Sequence, residues 1–375
     1  MPGKRIGILT SGGDCAGLNA IIRAVTRRAL HGYDWEVVGI REGITGLLSR
    51  PVEHEVLTLN RVSGPVMRQG GTILGTTNRG NPFSYPGADG TTTDRSAEVI
   101  EGFRSLGLEA LIGVGGDGSL RILQRLACQG GINFVGIPKT IDNDIGPTEL
   151  AVGYMTAVNV GTEALDRLQP TAASHSRVMV LEVMGRDAGH IAIAAGIAGG
   201  ADVILIPEIP YEIGEIADHI REIRRRGRNF ALVVVAEAVR TEAGETVSQT
   251  QAHGASTYGG IGSYLARRIG ETTGADTRVT VLGHVQRGGE PTAIDRLIAS
   301  AFGVRAVDMI AAGRFDRMVA WHQRQVIEVP LEDATAGPAL VDVNGTLVGT
   351  ARGLGVYIGR TTGETAGETT GETAG

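Results

Sequence analysis

The sequence has little cysteine, few aromatic residues and no long apolar run. Cys15 and Cys128 are its only cysteines, which excludes a disulfide framework and favours a reducing compartment. Aromatic residues make up 4% of the chain, so its core must rely on aliphatic side chains. Apolar runs such as Ala231–Ala236 have the length of strands and are too short to cross a bilayer. With no signal-peptide h-region at the start, we expect a cytoplasmic protein without a membrane partner.

Positive charge is also in short supply. The formal net charge is −6, whereas a nucleic-acid-binding surface needs a basic excess. We therefore expect no nucleic-acid partner. The chain of 375 residues is 42% hydrophobic and 20% charged, which is typical of a globular protein of about two domains.

Apolar strands alternate with amphipathic helices along most of the chain, which predicts parallel sheets covered on both faces. We predict an α/β protein of two doubly wound, mostly parallel-sheet lobes, with the active site in the cleft between them. One lobe comprises residues 1–150 and about 285–335, and the other comprises residues 151–284. The Gly-Glu-Thr repeats at 362–375 have no apolar face, which predicts a disordered tail.

Two polar turns follow neighbouring predicted strands, at 110–114 and 133–137. The first is Gly115-Gly116-Asp117-Gly118-Ser119, and the second is Lys139-Thr140-Ile141-Asp142-Asn143-Asp144 after Pro138. The carboxyl ends of parallel strands form the ligand-binding edge of such sheets. The first turn offers backbone N–H groups and one carboxylate, which suit a polyphosphate and Mg²⁺. The second offers groups for proton transfer, so the pair indicates a phosphotransferase.

Each turn also has a purely structural interpretation. Ser11-Gly12-Gly13-Asp14, a third turn of this kind, fits a phosphate site and a capped βα turn about equally well. The glycine turn at 115–119 also fits a capped turn, but a nucleotide phosphate site is favoured there. For Asp142 and Asp144 an Asx-turn is the minor interpretation.

A set of residues, most of them polar, flanks the predicted strands of the second lobe. It comprises Arg177, Met184, Gly185, Arg186, Glu237, Arg278, His284, Val285, Gln286 and Arg287. Guanidinium groups bind phosphate in a bidentate manner, so the set suits a dianionic sugar phosphate. Surface salt bridges explain any one of these residues, but they are a poor explanation of the whole set in an acidic chain.

In their order and spacing, these motifs resemble those of the 6-phosphofructokinase family across roughly residues 4–320. The matching segments are Ser11-Gly12-Gly13-Asp14, Gly116-Asp117-Gly118-Ser119, Thr140-Ile141-Asp142-Asn143-Asp144, Met184-Gly185-Arg186 and Gly283-His284-Val285-Gln286-Arg287-Gly288-Gly289. The resemblance implies transfer of the γ-phosphoryl group of ATP to the 1-hydroxyl of fructose 6-phosphate, giving fructose 1,6-bisphosphate and ADP.

The resemblance also implies residue roles. Asp142 is the base, Asp117 binds Mg²⁺, and Thr140, Arg186 and Lys139 assist catalysis. The donor site comprises Gly12, Arg79, Gly80, Gly116, Asp117, Gly118 and Ser119, although Arg79 matches only after a one-residue shift from Asn78. The sugar-phosphate site comprises Thr140, Ile141, Asp142, Met184, Gly185, Arg186, Glu237, His284, Val285, Gln286 and Arg287. Arg177 and Arg278 complete it from a neighbouring subunit, which implies a homo-oligomer, either a dimer or a tetramer.

The choice of phosphoryl donor depends on two positions. Members that use ATP typically carry glycine at the position of Gly118, and many carry glycine at that of Lys139, whereas pyrophosphate users carry aspartate and lysine there. This chain has one residue of each type. Gly118 leaves room for an adenosyl-linked phosphate, which favours ATP. The alternatives are a pyrophosphate-dependent phosphofructokinase, a nicotinamide-dinucleotide or lipid kinase, and a non-catalytic sugar-phosphate sensor.

Overall fold

The computed structural model describes residues 3–78, 80–87, 90–250 and 256–360. Arg79 and the predicted tail at 362–375 lie outside the described residues. The chain divides into two compact units, one of Met1–Ala157 with Arg287–Ala339 and the other of Val158–Gln286 with Leu340–Gly375. Residues 340–360 thus belong to the second unit, an arrangement that the sequence does not predict.

The secondary structure alternates strands and helices through both units. In chain order the strands are β1 (Arg5–Thr10), β2 (Glu36–Ile40), β3 (His54–Leu57), β4 (Tyr85–Pro86), β5 (Thr92–Thr93), β6 (Ala110–Gly115), β7 (Phe134–Thr140), β8 (Val152–Gly153), β9 (Val178–Val183), β10 (Val203–Leu205), β11 (Ala231–Ala236), β12 (Ser248–Thr250), β13 (Ser256–Tyr258), β14 (Thr277–Val281), β15 (Arg317–His322) and β16 (Gln325–Pro330). The helices are α1 (Leu18–Tyr33), α2 (Ile44–Leu48), α3 (Ser96–Ser105), α4 (Asp117–Gly130), α5 (Tyr154–His175), α6 (His190–Ala198), α7 (Ile213–Arg225), α8 (Ile261–Thr273), α9 (Ala293–Ala311), α10 (Leu331–Ala334) and α11 (Thr346–Gly353).

The first unit is built on a sheet with the strand order β16-β15-β7-β6-β1-β2-β3. Its central strands are parallel, and β3 and β16 pair antiparallel at its two edges. The central strands are apolar on both faces because helices cover both sides, as in other parallel sheets. Since β6 and β7 are parallel neighbours, the predicted juxtaposition of the two polar turns is confirmed.

Strand β7 is longer than the apolar run that predicts it. The sequence predicts a strand that ends at Ile137, but β7 continues through Lys139 and Thr140. These two residues pair with Val152 and Gly153 of β8, a short strand that no local periodicity indicates. This pairing buries Lys139 and Thr140 at the end of a strand, where we had expected a turn.

The second unit is built on a parallel sheet with the order β10-β11-β9-β14. Helix α7 presents a buried apolar stripe of Ile213, Ile216 and Ile220 below a charged face, the pattern of an amphipathic surface helix. At the outer edge of the sheet, Tyr357 bridges to Val203 of β10. Within the described residues, no helix is both long and apolar enough to span a membrane.

Candidate active site

The first glycine turn follows β1 and precedes α1. Gly12 has φ = 83°, which is favourable for glycine and strained for other residues. Its N–H donates to the carbonyl of Thr77 at 2.9 Å, and a Cβ atom here would lie 2.8 Å from Oγ of Ser119. Gly12 therefore allows a close approach of this turn to the turn after β6.

The second glycine turn leads directly into α4. Gly116 has extended backbone angles, and Asp117 is the first helical residue and is buried. The opening N–H groups of a helix have no intrahelical acceptor and carry partial positive charge. A Cβ atom built on Gly118 would have no atom within 4 Å. The helix start thus offers N–H groups, a carboxylate and open space at Gly118, as a bound polyphosphate requires.

Lys139 lies beneath the first glycine turn. Its side chain is 3% exposed, and Nζ donates to the carbonyl oxygen of Ser11 at 3.0 Å and to that of Gly13. Burial, opposed in part by Cys15, lowers the pKa of the Lys139 ammonium. Lys139 therefore binds the backbone of this turn at residues 11–14, which we call the donor-side turn, and the sequence does not predict that contact.

The turn after β7 holds two buried carboxylates. Oδ2 of Asp142 accepts a hydrogen bond from Oγ1 of Thr140 at 3.2 Å, and the N–H of Asp142 donates to the same hydroxyl at 3.0 Å. Asn143 adopts φ = 54° and uses its side-chain oxygen to accept from the N–H of Ala151 at 2.9 Å. Asp144 is 2% exposed. This turn is therefore fixed by local hydrogen bonds, which give Asp142 a defined position.

Arg287 belongs to the first unit and lies on the donor-side turn. Its Nη1 donates to the carbonyl of Asp14 at 3.1 Å, and a Cβ atom on Gly13 would approach Nη1 to 2.8 Å. The sequence analysis groups Arg287 with the arginines of the second lobe. The structure instead places its guanidinium at the backbone of residues 13–14.

In the second unit, a turn after β9 is held by two side chains. The N–H of Met184 donates to Oε1 of Gln286 at 2.7 Å, and those of Gly185 and Arg186 donate to Oε1 of Glu237 at 3.3 and 3.0 Å. Arg186 has φ = 53° and Gly185 has φ = 154°, so the turn adopts an unusual backbone conformation. Gln286 is 1% exposed. Its amide therefore shapes this turn, and the exposed guanidinium of Arg186 remains at the surface.

Arg177 and Arg278 occupy the opposite edge of the same sheet. Arg177 precedes β9 and Arg278 is the second residue of β14, so both lie at the amino ends of parallel strands. Met184 and Glu237 follow the carboxyl ends of β9 and β11. Both arginines contact Asp276, from Nε of Arg177 at 2.8 Å. Apart from Arg287, the predicted set therefore separates into two groups at opposite edges of the sheet.

The remaining predicted residues differ in accessibility. His284 and Val285 are exposed, with Val285 at 67%, while the side chain of Ile141 is fully buried and leaves only its backbone for contact with a ligand. Gly80 is partly buried and has φ = 105°.

Two buried carboxylates near these turns escaped the sequence analysis. Glu182 of β9 accepts from the N–H groups of Gly260 and Gly262 at the start of α8, and its charge within an otherwise apolar strand is a usable signal. Asp295 of α9 is also buried. Burial raises the pKa of its carboxyl group, and the hydrogen bonds that the carboxylate accepts offset only part of this increase. Its sequence signal is Thr292-Xaa-Xaa-Asp295, which resembles an ordinary helix-capping motif.

Among the described residues, no group of three or more His, Cys, Asp or Glu side chains could hold a metal ion by itself. Magnesium is commonly held by one or two carboxylates together with substrate phosphates. The single carboxylate of Asp117, at a helix start suited to phosphate, fits that donor set. Parallel sheets with glycine turns at helix starts and buried carboxylates at the same edge define an α/β phosphate-binding protein.

Comparison with known proteins identifies the family. The family model described as phosphofructokinase matches residues 5–310. An ATP-dependent 6-phosphofructokinase 1 of Synechocystis sp. is 62% identical over 356 residues, which cover 95% of this chain and 98% of that protein. The chain belongs to the phosphofructokinase family.

Solved structures agree with this assignment. Phosphofructokinase from Saccharomyces cerevisiae matches with a TM-score of 0.74 and 30% identity over 89% of this chain, which spans 45% of the yeast chain. A pyrophosphate-dependent phosphofructokinase from Marinobacter aquaeolei matches with a TM-score of 0.76 at 24% identity, over 95% of this chain and 88% of that one. Since a pyrophosphate-dependent enzyme has this fold too, the fold does not decide the donor.

Proposed function

We propose that this protein is an ATP-dependent 6-phosphofructokinase, which transfers the γ-phosphoryl group of ATP to the 1-hydroxyl of fructose 6-phosphate. The observation that carries the proposal is the pairing of β6 with β7, which brings the helix start at Asp117 and the carboxylate of Asp142 to one edge of one sheet. A donor site and a general base at that edge are what phosphoryl transfer to a hydroxyl requires.

The first unit supplies the donor site and the base. The turns at Gly12 and Gly116 and the start of α4 bind the phosphates through N–H groups, together with Ser119 and, by the resemblance, Arg79 and Gly80. Asp117 would hold Mg²⁺, which supplies charge neutralisation for the donor phosphates when bound. Lys139 fixes the first turn from below. Asp142, oriented by the hydroxyl of Thr140, accepts the proton of the sugar 1-hydroxyl.

The second unit supplies groups for the sugar phosphate. Glu237 and Gln286 hold the turn that presents Arg186, whose exposed guanidinium neutralises phosphate charge. His284 is exposed and available to the sugar phosphate. The reaction is then mostly a matter of positioning and electrostatic stabilisation.

The proposal includes a homo-oligomer in the cytoplasm. Arg177 and Arg278 lie at the sheet edge opposite Met184 and Glu237, and they share the carboxylate of Asp276. Placed there, they are suited to complete the sugar-phosphate site of a neighbouring subunit, as the family resemblance implies.

The decisive experiment is a coupled assay of fructose 1,6-bisphosphate formation with wild type and Asp142→Asn. We expect the wild type to be active with ATP and Mg²⁺. The variant should lose at least ~10²-fold in kcat with a smaller change in the KM for fructose 6-phosphate, because a general base contributes mainly to the chemical step. Asp218→Asn, which changes an exposed carboxylate of α7, is the matched control. Near-normal kcat in Asp142→Asn would exclude Asp142 as the base.

A further inference from the structure

Asp295 is a fully buried carboxylate that accepts hydrogen bonds from another helix. Oδ1 accepts from the N–H of Gly153 at 2.9 Å, and Oδ2 accepts from the N–H of Thr156 at 2.7 Å and from its hydroxyl. Thr156 lies in the first turn of α5, where N–H groups have no intrahelical acceptor. Asp295, which belongs to α9, therefore caps the start of α5.

Capping of its own helix does not explain this carboxylate. Thr292 already caps α9, since its hydroxyl accepts a hydrogen bond from the N–H of Asp295 at 3.4 Å. The carboxylate of Asp295 accepts one hydrogen bond from the hydroxyl of Thr292 at 3.3 Å, and it also satisfies groups at the junction of β8 and α5. Burial of a carboxylate is costly, and an ionised carboxylate is retained in such a place only when hydrogen bonds or charged partners hold it.

The junction that Asp295 holds touches the end of β7 and the glycine turn before α1. On one side, Val152 and Gly153 pair with Lys139 and Thr140, at the end of β7. On the other side, the thiol of Cys15 donates to the carbonyl of Val152 at 3.3 Å.

The packing at this junction is tight. A Cβ atom on Gly153 would lie 2.5 Å from Sγ of Cys15, and one on Gly17 would lie 2.5 Å from Val152. A shift of the β8–α5 junction would therefore move the end of β7 and the turn before α1 together.

We propose that Asp295 is a positioning residue for phosphoryl transfer, acting through Gly153 and Thr156 to hold the β8–α5 junction against Thr140 and the donor-side turn. The inference rests on the proposed function, because it assigns Asp142 and the glycine turns to the reaction. A displacement of about 1 Å in a catalytic group can cost ~10²-fold in rate. The junction is two residues from Asp142 along the paired strand, so its position sets that of the base.

The test uses Asp295→Asn, which replaces one acceptor oxygen by an NH₂ group facing N–H donors. Asp308→Asn is the matched control, because Asp308 is also on α9 and binds Arg28 and Tyr33 of α1. It lies 13 residues further along the helix, or about 20 Å from Asp295. Thermal unfolding is measured first, and kinetics are then measured at a temperature where all proteins are folded.

We expect kcat of Asp295→Asn to fall at least ~10-fold, with KM for each substrate within about 3-fold of wild type, and Asp308→Asn to keep its kcat. If Asp295→Asn loses thermal stability but keeps kcat, its role is only structural and the proposal is overturned. If it does not fold, Thr156→Val decides, since this nearly isosteric change removes the hydroxyl that donates to Asp295 and accepts from the N–H of Thr292, and keeps the backbone hydrogen bond to Asp295. An unchanged kcat in Thr156→Val would then overturn the proposal. An inactive wild type would instead contradict the proposed function.

Discussion

Gly118 gives the sharpest test of the phosphoryl donor. It is the second residue of α4, next to Asp117, and a side chain built there would enter open space. An aspartate in the first turn is favourable to the helix dipole, and replacing a helical glycine recovers roughly 0.5–1 kcal/mol of backbone entropy. Gly118→Asp should therefore fold at least as well as wild type, so a loss of activity would report on the donor.

The expected loss follows from Coulomb's law. We assume a separation of about 6 Å between the new carboxylate and a phosphate of ATP that lies against the start of α4. At an effective dielectric constant of about 20, two unit charges at this distance repel by about 2.8 kcal/mol. That energy corresponds to a decrease of ~10²-fold in kcat/KM for ATP. Pyrophosphate has no adenosyl-linked phosphate at this place, so its use should fall less.

The assay compares kcat/KM for ATP and for pyrophosphate in wild type, Gly118→Asp and Gly118→Asn. Asparagine has nearly the same size as aspartate but no charge, so Gly118→Asn should lower kcat/KM for ATP much less than Gly118→Asp. Equal losses in both variants would mean that bulk, and not charge, decides the donor. Full ATP activity in Gly118→Asp, or a wild type that prefers pyrophosphate, would refute the assignment.

Two further predictions concern Arg177 and Lys139. Mixing Arg177→Ala subunits with Asp142→Asn subunits should restore part of the activity, because some shared sites then carry neither change, whereas mixing Arg177→Ala with Arg278→Ala should restore none. No recovery in the first mixture, despite verified subunit exchange, would exclude shared sites. Lys139→Met should lower the melting temperature and raise the KM for ATP several-fold. The change leaves the carbonyls of Ser11 and Gly13 without their ammonium donor. Each buried group left without a hydrogen bond costs about 1–3 kcal/mol of stability. A KM for ATP and a melting temperature equal to wild type would show that Lys139 does not hold the turn.

The consecutive motifs could be predicted because their geometry is local. A strand, a glycine turn and a helix in immediate succession place polar groups at the carboxyl end of the strand in any parallel sheet. The turns at Gly116 and Asp142 follow this rule, and β6 and β7 are neighbours as predicted. The direction of the strands also separates Arg177, before β9, from Met184, after it. Strand direction can be read from the sequence, and a prediction that treats all strand ends as equivalent loses this distinction.

The roles of the buried polar residues could not be predicted, since each depends on a partner far away in the sequence. Lys139 lies in a strand only because β8 pairs with it, and its ammonium binds residues 11 and 13. Gln286 follows an exposed valine in a motif that suggests contact with the substrate. Its amide oxygen instead accepts a hydrogen bond from the N–H of Met184, 102 positions earlier.

Asp295 shows the same limit most clearly. The motif Thr292-Xaa-Xaa-Asp295 predicts a helix start correctly, and Thr292 does cap α9. The carboxylate nevertheless serves α5, whose first turn lies 139 positions earlier at Thr156. A local motif therefore predicts where a helix begins, but which buried donors a side chain satisfies is decided by the packing of the helices. If Asp295→Asn lowers kcat and Asp308→Asn does not, the catalytic geometry of the first unit depends on that packing as well as on the motifs that the sequence displays.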